Sequence, residues 1–123
     1  MPIPLREPTF LILTALTTEP LHGYGIVRAV AELSADRVRL QAGTLYGALD
    51  RLKDDGWIEL DREDVVEGRL RRYYKLTDTG AGVLADETAR LRANADAATA
   101  GLRARAARGG LSGFGAGPAA GLA

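Results

Sequence analysis

Between Gln41 and Leu76 the apolar pattern changes its period, and that change limits the fold more than any other feature of the chain. In Gln41-Ala42-Gly43-Thr44-Leu45-Tyr46-Gly47-Ala48-Leu49-Asp50-Arg51-Leu52 the leucines recur at i, i+4 and i+7, with Ala48 beside them. That spacing gives a helix one apolar face. The opposite face carries Gln41, Thr44, Gly47 and Arg51, which are small or hydrogen-bonding. A helix N-terminus offers free N–H groups and partial positive charge, which suit phosphate. An ordinary amphipathic surface helix has the same leucine stripe, so its neighbours must decide. Asp54-Asp55-Gly56 stops the helix. Trp57-Ile58-Glu59-Leu60-Asp61-Arg62 then alternates with period two and reads as a strand. Asp64 to Gly68 reads as a polar turn, and Leu70 to Leu76 as the returning strand of a hairpin.

Ahead of this block, Met1 to Arg6 contains two prolines and reads as a loose arm. Pro8 suits a first helical turn, and Phe10, Leu13 and Leu16 make an apolar helix ending near Thr18. Glu19-Pro20 breaks it. Leu21-His22-Gly23-Tyr24-Gly25 opens a second helix with Ile26, Val30 and Leu33 on one stripe. Gly23 and Gly25 are poor helix formers, and they suggest the close approach of another backbone. Ser34-Ala35-Asp36 ends this helix, and the alternation in Arg37-Val38-Arg39-Leu40 suggests a short strand. After the hairpin, Thr77 or Asp78 is a natural helix cap, although Gly80 stands where a capping-box Glu would sit. From Ala81 the apolar or small positions Ala81, Leu84, Thr88, Leu91, Ala95, Ala98 and Leu102 alternate in steps of three and four, a heptad seam with small knobs. Asp86, Glu87, Arg90, Arg92, Asn94 and Asp96 read as its solvated face.

Helix, helix, helix, hairpin and long helix, in that order, describe a mainly α chain with a β-hairpin: a winged helix-turn-helix followed by a C-terminal dimerisation helix. The expected divisions are a flexible arm over 1–7, the winged helix-turn-helix over 8–77, the C-terminal helix over 78–108 and a disordered Gly/Ala-rich tail over 109–123. The last helix buries too little within one chain, so a second copy is expected along Leu84, Thr88, Leu91, Ala95, Ala98 and Leu102.

Composition narrows the function. The 123 residues suit one small domain, and the 16 basic and 16 acidic side chains give no global field, so any affinity for nucleic acid must be arranged locally. The absence of Cys and the single His exclude thiolate sites and make His-rich metal sites and a Ser-His-Asp triad improbable. An enzyme is therefore not expected, and neither is a cofactor. The run Phe10 to Ala15 is too short to span a membrane and lacks a basic leader, so a cytoplasmic protein without membrane contact is expected.

The returning strand carries the second chemical signal. Gly68 to Leu76 holds Arg69, Arg71, Arg72 and Lys75 with no acid, interleaved with Tyr73 and Tyr74. With Leu70, Tyr74 and Leu76 facing the core, Arg69, Arg71, Tyr73 and Lys75 point outward together. A cationic row beside a groove-reading helix is a phosphate clamp; the alternative is a solvated edge strand guarded by its charges. Glu63, Asp64 and Glu67 repel DNA, so the base of the hairpin is the expected contact rather than its tip. His22 is expected to cap the second helix or to bond across to a neighbouring one, rather than to bind metal. Trp57 is expected to plug the gap between hairpin and helices. Tyr46 divides between core and phosphate contact. Arg51 faces DNA or pairs with Asp54 or Asp55.

Taken together, His22-Gly23-Tyr24, Gly43-Thr44-Leu45-Tyr46, Leu49-Asp50-Arg51-Leu52, Gly56-Trp57-Ile58 and Arg72-Tyr73-Tyr74-Lys75-Leu76-Thr77 resemble the signature of the PadR family of bacterial transcriptional regulators. The resemblance covers about Pro8 to Gly80, with the motifs in the family's order and separations. It implies a dimeric winged helix-turn-helix repressor on double-stranded DNA with a palindromic operator, often released by a small effector. It further implies that the helix bearing Gly43-Thr44-Leu45-Tyr46 enters the major groove. Gln41, Thr44, Tyr46 and Arg51 then lie on or near DNA, and Tyr24, Arg71 and Arg72 touch backbone phosphate. The family commonly has Glu at the place of Gly25, Pro at that of Gly47, and prolines at those of Arg69 and Leu70. The last helix has no aromatic residue, which argues against sandwiching a flat ligand there. The rival reading is a winged helix that docks a partner protein.

Overall fold

The computed structural model describes residues 4–109. Its elements are α1 (Glu7–Ala15), β1 (Leu21–His22), α2 (Gly23–Leu33), α3 (Ala42–Asp54), β2 (Ile58–Val66), β3 (Arg69–Leu76) and α4 (Asp78–Gly109). The leucine stripe of α3 is sealed as its spacing requires: Leu45, Leu49 and Leu52 are buried with Ala48. They meet Ile12 and Leu13 of α1, Ile26 and Val30 of α2, Ile58 of β2 and Tyr74 of β3. The hairpin closes one side of this core, and the strand order is β1-β3-β2. The architecture is a winged helix, three helices followed by a β-hairpin, with a long C-terminal helix after it.

Several local expectations give way to contacts distant in sequence. Helix α1 stops at Ala15 rather than near Thr18, because the N–H groups of Leu16 and Thr17 turn to Leu13 O (3.1 Å) and Thr14 O (3.2 Å), the tighter bonds that commonly end a helix. Leu21 and His22 do not open α2. They form a strand that pairs with Tyr74 and Tyr73 across the free edge of β3. Leu33, expected on the buried stripe of α2, is 51% exposed at the last residue of that helix. The chain leaves there through left-handed Ala35 and Asp36. Arg37 to Leu40 forms no strand. The Val38 N–H is taken instead by Ser34 Oγ at 2.9 Å, while Arg37 makes a forked bond to Glu7.

The hairpin turn is shorter than its polar sequence suggests. Val66 pairs with Arg69, leaving Glu67 (φ 53°) and Gly68 (φ 78°) as a two-residue loop with both residues left-handed, the geometry that matches the twist of a hairpin. A bulge at Asp61 shifts the register between Leu60 and Arg62. Leu70, expected in the core, is 55% exposed beside its partner Val65, because that pair lies in the part of the hairpin beyond β1. Tyr74, two repeats of the pleat nearer the base, is buried as expected.

The hairpin passes into α4 through one tight junction. Thr77 caps the helix: its Oγ1 accepts the Gly80 N–H (3.0 Å) and its hydroxyl donates to Gly56 O (2.6 Å). Its own N–H reaches Trp57 O at 3.1 Å. A Cβ on Gly80 would lie 2.0 Å from that same carbonyl oxygen. The capping-box Glu is missing because no side chain fits there.

Two compact units divide at residue 87, and α4 contributes to both. In the first, Val83 and Leu84 pack against the core. Glu87, expected on a solvated face, is 5% exposed, and its Oε2 accepts the Leu5 N–H at 3.1 Å. The segment before α1, expected to be loose, is therefore tied down at Leu5; residues 1–3 lie outside the described range. In the second unit the helix runs on to Gly109, and Leu91, Ala95, Ala98 and Leu102 are exposed. The tail expected to be disordered falls, apart from Gly109, outside the described residues. No described helix is long and apolar enough to cross a membrane.

Two glycines of α4 should respond oppositely to the same change. Gly80→Ala should lower stability by about 2 kcal/mol or more, because the obstacle is a backbone carbonyl. Gly82, with nothing within 4 Å of its would-be Cβ, should gain about 0.5–1 kcal/mol as Ala. Urea unfolding midpoints at matched slope check both signs.

Candidate nucleic-acid interface

Sealing Leu45 and Leu49 inward fixes what α3 shows outward. Gln41, Gly43, Thr44, Tyr46, Gly47 and Arg51 are all exposed. Gln41 is the N-cap residue, and its side chain makes no capping bond, so the amides of the first turn lack a side-chain acceptor. The outward surface is small at Gly43, Thr44 and Gly47, as a helix needs if its backbone is to approach another surface closely.

Tyr46 is placed by a glycine on the neighbouring helix. A Cβ on Gly23 would lie 2.6 Å from the Tyr46 phenol oxygen, so the ring crosses the buried first residue of α2. Gly23 thus admits a side chain, not the backbone that its sequence suggests. The next residue, Tyr24, is 67% exposed, with the Arg28 guanidinium 5.9 Å from its ring centroid. His22 caps α2, with Nδ1 accepting the Gly25 N–H at 3.4 Å. Burial and then the Arg71 charge hold its pKa below the usual value, which keeps Nδ1 available as an acceptor. Its ring meets Tyr73 edge to face at 5.3 Å.

The wing supplies the charge. β1 covers β3 only at Tyr73 and Tyr74, so the edge from Arg69 to Arg72 opens onto a groove of about 480 Å³ whose lining includes Tyr24, Tyr46, Arg69, Arg71, Arg72 and Tyr74. Residues far apart in sequence thus meet there: the start of α2, the outer side of α3 and the cationic strand. Arg69 and Arg71 have no carboxylate within ion-pair distance among the described residues, whereas Arg72 donates to Glu63 at 3.0 Å. Lys75 does not line the groove. It sits at the hairpin base, 3.7 Å from Glu59 and 3.8 Å from Asp61. β3 is therefore neither a uniformly free cationic row nor an edge strand along its whole length.

Arg51 also lies apart. It lines a second groove of about 570 Å³ with Arg6, Asp55 and Trp57, and neither Asp54 nor Asp55 is within ion-pair distance. Its guanidinium instead lies over Gly47, 3.9 Å from where a Cβ would stand. Gln41 and Thr44 remain on the open face of α3, outside both grooves. Sequence reasoning missed two cations near these sites. Arg28 was legible as the i+4 neighbour of Tyr24. Arg62 was not, since it reaches the Tyr73 ring (3.8 Å) only through the bulge that shifts β2. Among the described residues no group of His, Cys, Asp or Glu is arranged to hold a metal ion.

Comparison with known proteins bears on this arrangement. Residues 12–86 match the family described as Transcriptional regulator PadR-like family, which comprises regulators, not enzymes. The chain is 37% identical over 67 residues to the transcriptional regulator Rv3488 of Mycobacterium tuberculosis, spanning 54% of this chain and 59% of that one. Bacillus subtilis PadR, solved in complex with operator DNA, superposes with a TM-score of 0.59 at 28% identity, covering 66% of this chain and 47% of that one. A PadR family regulator from Eggerthella lenta superposes at 0.64 with 29% identity, covering 76% and 80% respectively. The chain thus spans less than two thirds of the Mycobacterium and Bacillus proteins. A family match over most of the winged helix, in a chain whose fold these solved regulators share, places this protein in the PadR-like family of transcriptional regulators.

Proposed function

We propose that the chain is a sequence-specific transcriptional repressor that binds double-stranded DNA as a homodimer on a palindromic operator. The observation that carries this reading is the convergence of Tyr24, Tyr46, Arg69 and Arg71 on one groove beside the open, small-residue face of α3. With α3 in the major groove, Gln41 and Thr44 meet base edges or their flanking phosphates. The groove between α3 and the wing takes the sugar–phosphate backbone. Tyr24 and Tyr46 donate hydroxyls to phosphate, and Arg69 and Arg71 neutralise it. Arg72 and Lys75 add to this field from behind their ion pairs, and Arg51 contacts the backbone from the far flank of α3. The Bacillus PadR solved on operator DNA supports this assignment.

The exposed heptad positions of α4 support the dimer. A helix showing Leu91, Ala95, Ala98 and Leu102 to solvent is covered economically by a second copy of itself; Thr88 and the half-buried Leu84, which also packs on its own core, belong to the seam by spacing alone. Two copies also supply two reading heads for two half-sites. Release by a small effector belongs to this reading, as does action in the cytoplasm, where the chromosome lies. A second reading, docking to a partner protein, draws on the exposed apolar pair Val65 and Leu70 near the tip of the wing and on the balanced charge of the chain.

Fluorescence anisotropy of a labelled duplex, recovered by selection from random DNA, tests the assignment across a salt series. Replacing Arg69 and Arg71 together by Ala should weaken binding to every duplex and reduce the slope of log K against log salt by about 1.8, or 0.9 for each lost phosphate contact. Unchanged affinity and slope would refute the wing contact and favour the protein-docking reading.

Sedimentation checks the partner copy. Leu91→Glu with Leu102→Glu should convert a dimer to a monomer without loss of the winged helix, and should cost at least about tenfold in operator affinity by removing one half-site. A wild-type chain that sediments as a monomer with and without duplex would refute the dimer.

A further inference from the structure

We infer that Glu63 is an affinity-setting residue: it holds Arg72, one of the three arginines lining the groove, away from phosphate, so that the wing grips DNA less tightly than its arginines allow. The inference rests on the DNA-binding reading above and adds to it a residue on the opposite strand.

The geometry is a matter of register. Glu63 and Arg72 are direct partners on the β2–β3 ladder, so their side chains leave the sheet on the same face. That face also carries Tyr74, two residues along β3, and is turned toward the core and α3. Arg72 lines the groove with Tyr46 and Tyr24, yet its Nε donates to Glu63 Oε2 at 3.0 Å. A second carboxylate bears on it from the helix. The Glu63 bond, followed by smaller effects that include the charge of Asp50 on α3, holds the guanidinium more firmly protonated than usual. Arg69 and Arg71, which precede it on β3 and leave the strand on the other face, have no such partner. The three arginines are therefore unequal: two stand ready for phosphate, and one already has an anion.

The pair is placed to be exchanged. Both side chains are partly open to water, 58% for Arg72 and 41% for Glu63, and pairs so exposed are weak. A phosphate offers the guanidinium a forked acceptor and can displace Glu63. The displaced carboxylate then faces the duplex uncompensated. Glu63 therefore opposes binding twice, first by occupying Arg72 and then by repelling the phosphate that replaces it. Because phosphate contacts carry no sequence information, this restraint falls on the sequence-independent part of the affinity.

The test is a double-mutant cycle on the full chain with the selected duplex and a scrambled one, with unfolding midpoints showing that each variant is folded. Glu63→Gln should tighten binding about threefold to tenfold at low salt and steepen the salt slope by up to about 0.9, because the side chains facing the duplex then carry one more net positive charge. Glu63→Thr, which withdraws the carboxylate oxygens altogether, should do at least as much. In an Arg72→Ala background the same Glu63 substitutions should change affinity by less than about twofold. Equal gains with and without Arg72 would overturn the inference, since they would mean that Glu63 acts only as bulk negative charge. Unchanged affinity of Glu63→Gln on a duplex that the wild type binds would overturn it while leaving the DNA-binding reading intact. Failure of every form to bind any duplex in dilute buffer would remove both.

Discussion

Burial of three leucines on one helix governs the remainder of the structure. With Leu45, Leu49 and Leu52 committed to the core, α3 has no rotational freedom left, and each outward residue has its place set by the 3.6-residue period. Removing the side chain of any one of them would cost about 2–5 kcal/mol, a large share of what a domain of this size has to spare. The interface is therefore as rigid as the core beneath it. Gln41, Thr44 and Gly47 need make no contact of their own to be held in position.

Two glycines then set distances that no side chain could. At Gly80 the missing Cβ lets the first turn of α4 close onto the Trp57 carbonyl, so the hairpin base and the long helix share one joint. At Gly23 it lets the Tyr46 ring lie across the start of α2, which brings a phenol from one helix to the N-terminal end of another. One contact is structural and the other belongs to the groove, but the physics is common to both. Each is a close approach that an alanine would prevent.

What could be read from the sequence divides along the line between local and distant interactions. The α3 face, the hairpin and the Thr77 cap were legible because each is encoded within one short continuous stretch, by period, turn chemistry and capping type. The strand at Leu21–His22 was not, since two residues become a strand only when the free edge of β3 stands beside them. Glu87 was expected in water because its heptad position says so; instead it is buried, and its carboxylate accepts the N–H of Leu5, 82 residues away in the chain. Leu33 and Leu70 erred the other way. Each lies at the end of its element, beyond the reach of the partner that would have covered it. In the site, the sequence showed that β3 is cationic but not which of its cations are neutralised, because that depends on the register and on the bulge at Asp61.

The same pairing explains how a chain with 16 positive and 16 negative side chains can present the local cationic surface on which the proposed phosphate contact rests. β2 is acidic and β3 is basic, and their antiparallel ladder sets Glu59 against Lys75 and Glu63 against Arg72. Arg62, reoriented by the bulge, takes up Asp61 and Asp64. What remains uncancelled is Arg69 and Arg71, at the stretch of β3 that borders the groove. Such a surface has little field at a Debye length, so it steers weakly from afar and acts at contact. Affinity on such a surface depends on the arrangement of a few side chains rather than on net charge. On the reading proposed above, such a wing restrains binding to bulk DNA and leaves selectivity to the shape of α3.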